Sequence, residues 1–119
     1  YGTQAFVRQI SIGEQVSSAL VAHDTYATFE LTVPADGKVV ARLNWDPKDG
    51  FLEVILGDQH IVPAEHNGSI VATFVVSADR MHRIVVADGA PWDYDSLDLP
   101  FVLTTSIEPS SNGGFPWDY

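Results

Sequence analysis

Residues 28–45 read Thr-Phe-Glu-Leu-Thr-Val-Pro-Ala-Asp-Gly-Lys-Val-Val-Ala-Arg-Leu-Asn-Trp, and their alternation decides the fold class. Phe29, Leu31 and Val33 alternate with Thr28, Glu30 and Thr32 up to Pro34, the period of a half-buried strand rather than of an amphipathic helix. After Ala35-Asp36-Gly37, Val39, Ala41, Leu43 and Trp45 take one face and Val40, Arg42 and Asn44 the other. Two such runs around a short turn are a hairpin signal. Trp45 lies on the inward face of its run, so it is expected in the core.

The same period extends in both directions. Phe6, Ile10 and Ile12 share a face of a first strand, and Val16 and Leu20 share a face of a second after Gly13-Glu14. Downstream, Phe51 to Leu56 is apolar on both faces apart from Glu53, as a central strand would be. Pro63, just after Ile61 and Val62, predicts an edge. Asn67-Gly68 is a type I′ turn candidate, followed by a strand with Ile70, Ala72, Phe74 and Val76 on one face. Met81 to Ala87 and Pro100 to Ile107 complete the set. No segment reads as a helix. Eight or nine strands, spaced about ten residues apart, predict an all-β, antiparallel, jelly-roll-like β-sandwich. Residues 1–109 form this domain, and residues 110–119, opening Ser-Ser-Asn-Gly-Gly, are expected to be a flexible C-terminal tail or linker.

Composition narrows the function classes. The 119 residues carry 16 acidic and 6 Lys or Arg side chains, a formal net charge of -10. A nucleic-acid binder needs a cationic stripe, whereas Arg8, Lys38, Arg42, Lys48, Arg80 and Arg83 never cluster beyond a close pair. Anionic membrane surfaces are disfavoured likewise, and no apolar run approaches the ~20 residues of a membrane helix. Without cysteine, neither a disulfide framework nor a thiolate metal site can form. The chain starts at Tyr1 with no initiator Met or signal region, which reads as an excised fragment or a mature product.

Several stretches together resemble the bacterial pre-peptidase C-terminal domain family, to which the collagen-binding domains of bacterial collagenases are structurally related. They are Ile12-Gly13-Glu14-Gln15-Val16, Tyr26 with Phe29-Glu30-Leu31, and Pro34-Ala35-Asp36-Gly37 leading into Val39 to Trp45. Leu52-Glu53-Val54-Ile55-Leu56 and Leu99-Pro100-Phe101-Val102-Leu103-Thr104 extend the resemblance over most of residues 9 to 107. The chain departs from the family at Asp79-Arg80-Met81-His82, where a Gly-Thr-Tyr is usual, and at Phe101, where a Tyr is common. The resemblance implies a non-catalytic accessory domain of a secreted or periplasmic bacterial protein. Such a domain assists secretion, substrate binding or stability of an attached enzyme, or binds an extracellular protein or polysaccharide.

The densest polar stretch is Asp93-Tyr94-Asp95-Ser96-Leu97-Asp98. Calcium takes six to eight hard oxygens, so Asp93, Asp95 and Asp98 are candidate calcium ligands, against the alternative of a solvated acidic loop. The loop departs from an EF-hand, since Leu97 takes a ligand position. Pro-Trp-Asp-Tyr occurs at residues 91–94 and again at 116–119. Trp92 and Tyr94 would either stack on a sugar ring, as in a carbohydrate-binding module, or plug the end of the sandwich. The second copy would either dock on this or a neighbouring molecule, or belong to a linker.

His23, His60, His66 and His82 lack metal-site spacing and are expected to be turn or solvent-facing residues. No serine sits in a Gly-x-Ser-x-Gly elbow, and Asn67-Gly68-Ser69 reads as a turn. Asp46 and Asp49 flank Pro47-Lys48 as turn caps. Glu30, Glu53 and Glu65 could supply paired carboxylates only within a walled cleft, for which a sandwich of this size has little room. A purely structural spacer is the remaining alternative.

Overall fold

The computed structural model describes residues 2–63, 67–90 and 98–109. Nine strands form: β1 (Thr3–Ser11), β2 (Gln15–Leu20), β3 (Thr25–Thr32), β4 (Gly37–Trp45), β5 (Leu52–Leu56), β6 (Gln59–Ile61), β7 (Ser69–Val76), β8 (His82–Asp88) and β9 (Leu99–Pro109). They make a five-stranded sheet in the order β1-β3-β8-β5-β6 and a four-stranded sheet in the order β2-β9-β4-β7. The all-β sandwich expected from the alternation is what the chain forms. In β4, Val39, Ala41, Leu43 and Trp45 are buried while Lys38, Arg42 and Asn44 are exposed. β5 is an interior strand, paired on both sides with β8 and β6, and β6 is an edge, as the apolar run and Pro63 predict.

Of the eight connections between consecutive strands, only β5–β6 stays within one sheet. The two expected hairpin turns are therefore arches that carry the chain across the core. At 35–37, β3 and β4 lie in different sheets, and Asp36 Oδ1 accepts the Ala78 N–H at 2.8 Å, tying this arch to the one between β7 and β8. At 67–68, β6 and β7 likewise lie in different sheets, so the turn closes no hairpin, and Gly68 has φ +76°. Asn67 Oδ1 accepts the Ser69 N–H at 3.2 Å. Hairpins and arches use the same turn residues and leave the same strand alternation. In a hairpin the two apolar faces lie side by side, and in an arch they meet across the core.

Crossing twice also explains why β1 and β3 pair in parallel, the one parallel pair among the described strands. Glu14 closes the first crossing: its Oε1 accepts the Ser11 N–H at 3.1 Å and its Oε2 accepts from Arg8 at 3.0 Å. β2 then pairs with β9, and the chain returns to the first sheet running in its original direction.

The core lies between the sheets and is centred on Phe29, Leu31, Leu43, Leu52, Ile84 and Leu103, all fully buried. Phe29 forms T-shaped pairs with Phe6 and with Phe101, the ring centroids 5.8 Å and 6.0 Å apart, so one aromatic line links β1, β3 and β9. Trp45 is buried as expected, and its Nε1 donates to Gly50 O at 2.9 Å.

Candidate functional site

The arches from β2 to β3, β4 to β5 and β8 to β9 collect at one end of the sandwich, and Asp24, Asp46, Asp49, Asp88 and Asp98 come with them. Among the described residues of these connections Lys48 is the one Lys or Arg, so this end carries much of the negative field. Asp46 shapes the backbone here: its carboxylate Oδ1 accepts the Lys48 N–H at 2.9 Å, and its main-chain carbonyl accepts the Asp49 N–H at 3.0 Å. The capping role expected of this loop is therefore met at Asp46.

Asp88 is the unusual member. It shares the inward register of Ile84 and Val86 and is buried, so β8 ends with a carboxyl aimed at the rim of the core. Burial raises its pKa above the ordinary 3.8, against the opposing pull of the backbone N–H groups of Ala90 and Asp24 and of nearby His23. Asp24 has φ 54°, a backbone that Asp tolerates better than most residues, and its carbonyl accepts the Thr3 N–H at 3.1 Å. Asp88 thus fastens the β2–β3 arch to the start of the β8–β9 arch. Sequence reasoning did not single it out, although the inward register at 84, 86 and 88 was readable.

A raised folded pKa means that the contribution of Asp88 to stability is complete below the ordinary 3.8, where the carboxyl is protonated in both states, and is lost as pH rises through the raised value. Asp88→Asn keeps the acceptor oxygen and removes the charge. Its Tm is expected to exceed that of the wild type increasingly as pH rises from about 4 to 7, and to converge with it near pH 3. Parallel Tm curves at a constant offset would contradict the assignment.

On the outer face of the five-stranded sheet, His60 Nε2 stands 2.6 Å from Glu53 Oε2, and Arg83 pairs with Glu30 at 3.5 Å. Gly89 leaves room for Glu53, since a Cβ there would stand 2.6 Å from its Cγ. His82 Nε2 accepts the Ser77 N–H at 3.0 Å. These contacts hold strands and turns in place, and Glu53 and Glu30 each take a basic partner rather than each other.

Of the residues singled out from sequence, Trp92, Asp93, Tyr94 and Asp95 lie outside the described residues, as do Glu65, His66 and the 116–119 repeat. Asp98 is described, exposed, and immediately precedes β9. Among the described residues no group of three His, Asp or Glu side chains is gathered as a metal site.

No family model and no curated protein matches this chain. Solved structures match it by fold. It is similar to the pre-peptidase C-terminal domain of a collagenase from Bacillus anthracis, with 15% identity, a TM-score of 0.57, and 84% of this chain and 94% of that one covered. It is also similar to PliG of Aeromonas hydrophila, a periplasmic inhibitor of g-type lysozyme, with 12% identity, a TM-score of 0.54, and 87% and 100% covered. At these identities the likeness is one of fold, and both neighbours are spanned almost end to end.

Proposed function

We propose that this chain is a non-catalytic accessory domain of an exported bacterial protein, attached to an enzyme that it helps to hold on a polymeric substrate. The observation that carries this reading is how the described polar side chains are used. Glu14, Asp36 and Asp46 bind backbone groups of turns, His82 caps Ser77, and Glu53 and Glu30 take His60 and Arg83. Groups that could do acid–base chemistry serve the fold. The whole-domain likeness to a domain of a collagenase supports the attachment, and the periplasmic neighbour supports an extracytoplasmic setting. No helix among the described residues is long and apolar enough to cross a membrane.

The test is retention of the 119-residue chain on insoluble collagen, cellulose and chitin, alongside chromogenic peptide, ester and glycoside substrates. Retention on collagen without turnover is expected. Retention on the polysaccharides alone would favour the carbohydrate-binding alternative, and turnover abolished by Glu53→Gln or His60→Ala would refute the reading.

Calcium at Asp93, Asp95 and Asp98 belongs to the same proposal. If the ion binds only the folded chain, calcium at a hundredfold over Kd stabilises by about 2.7 kcal/mol relative to chelator. Identical Tm values in calcium and in chelator would remove calcium from the account.

A further inference from the structure

We propose that the outer edge of β7 binds an extended peptide segment of another polypeptide, which joins the four-stranded sheet as a fifth, antiparallel strand. The four sheet edges differ in how far they are closed to such pairing. β1 has a register shift between Gln4 and Phe6 and carries Arg8, β6 has three residues and is followed by Pro63, and β2 is short and turns Gln15 and Ser17 to solvent. Within its own residues β7 carries none of the devices that blunt an edge: eight residues, Ser-Ile-Val-Ala-Thr-Phe-Val-Val, without charge, Pro or Gly. Its outward side chains include Val71, 58% exposed, and Val75, 76% exposed.

The register fixes which peptide groups are on offer. The Trp45 N–H donates to Gly68 O at 2.9 Å, in line with the β4–β7 register, so the closely bonded pairs are 43/70, 41/72 and 39/74. Ile70, Ala72 and Phe74 therefore turn their peptide groups to β4, and Val71, Thr73 and Val75 turn theirs to the outer flank. Among the described residues no strand takes them.

Because β6 is so short, the facing sheet stops early and leaves two hollows beside β7. One, of about 290 Å³, is lined by Ile61, Val62, Pro63, Ile70 and Val71 among others. The other, of about 500 Å³, includes Leu56, Phe74, Val75, Arg80, Met81 and His82 in its lining. Ile70 and Phe74 are four residues apart on one face, about 13 Å along a strand. An added strand would place apolar side chains four residues apart into the two hollows, with a small residue between them opposite Ala72.

Charge selects the end. In a chain of net charge -10, Arg80 and Arg83 both line the larger hollow, and Arg83 is shared with Glu30. An antiparallel partner that carries an acidic residue two positions before its first apolar anchor brings that carboxylate to Arg80. Main-chain bonds supply affinity in this mode, and the alternate pockets supply selectivity. The inference stands on the β7 edge and does not require the accessory-domain reading.

The experiment titrates the isotope-labelled 119-residue chain with the acetylated, amidated peptide Ser-Glu-Thr-Leu-Thr-Ala-Thr-Ile-Ser and follows backbone amide shifts. Saturable shifts are expected at Val71, Thr73, Val75 and Met81. Thr73→Pro deletes an N–H that faces outward and leaves the β4 ladder intact, so it is expected to raise Kd about tenfold or more. Arg80→Gln is expected to raise Kd several-fold for this peptide and not for its Gln counterpart. No saturable shift at about 1 mM peptide, shifts away from β7, or unchanged affinity in both variants would overturn the proposal. Concentration-dependent shifts of the β7 amides without peptide would also overturn it, since a second copy would then hold the edge.

Discussion

Phe29→Ala is expected to lower Tm by roughly 12–20 °C, from a loss of about 3–5 kcal/mol at about 4 °C per kcal/mol for a domain of this size. Phe29 is completely buried, and its ring is the middle member of the line from Phe6 to Phe101. Truncation removes the apolar contacts on both sides and leaves a cavity between two sheets whose strands cannot collapse without losing their pairing. A loss of this size is a large fraction of the stability of a typical domain, about 5–15 kcal/mol. Phe29→Leu retains much of the volume and is expected to lose less than half as much. A fall of under about 4 °C for the alanine variant, measured by calorimetry, would mean that the aromatic line does not organise the core.

Gly68→Ala is expected to cost about 2–4 kcal/mol, through two causes that act at one atom. Gly68 has φ +76°, where any side chain is strained, and a Cβ would stand 2.1 Å from Trp45 O and 2.9 Å from Pro47 Cδ. Relief requires β7 to move away from β4 at the point where the Trp45 N–H meets Gly68 O. Gly57→Ala is the control: its φ is +63° and no heavy atom lies within 4 Å of the added Cβ, so only the backbone strain of about 1–2 kcal/mol remains. Urea unfolding separates the two, and equal losses at both positions would contradict the close approach of β4 and β7.

The strands were legible because their burial follows a period of two. Val39 to Trp45 and Ile70 to Val76 could be assigned inward and outward faces from sequence alone, and Pro63 marked an edge correctly. The sheet to which each strand belongs was not legible. Asp36-Gly37 and Asn67-Gly68 supply turn chemistry that serves a hairpin and an arch alike, and the sheet order distinguishes them, with the contact of Asp36 with Ala78 tying two arches together. The parallel pairing of β1 with β3 follows from two successive crossings, which no local pattern records.

The site was legible only in outline. The acidity of the β8–β9 connection is a matter of composition, but Asp88 acts through its inward register and Asp24 through its backbone, and both depend on burial at the end of the sandwich. The absence of charge from β7 was plain in the residues 69–76. That β7 lies at an edge, beside a strand three residues long, is a property of the sheet order.

The accessory-domain reading is tested most directly by kinetics of the intact parent protein with and without residues 2–109. On a small soluble substrate, kcat is expected to be unchanged within about twofold, a barrier difference of about 0.4 kcal/mol, while retention and turnover on the insoluble polymer fall at least tenfold. A comparable loss of kcat on the small substrate, or full activity on the polymer after deletion, would contradict it.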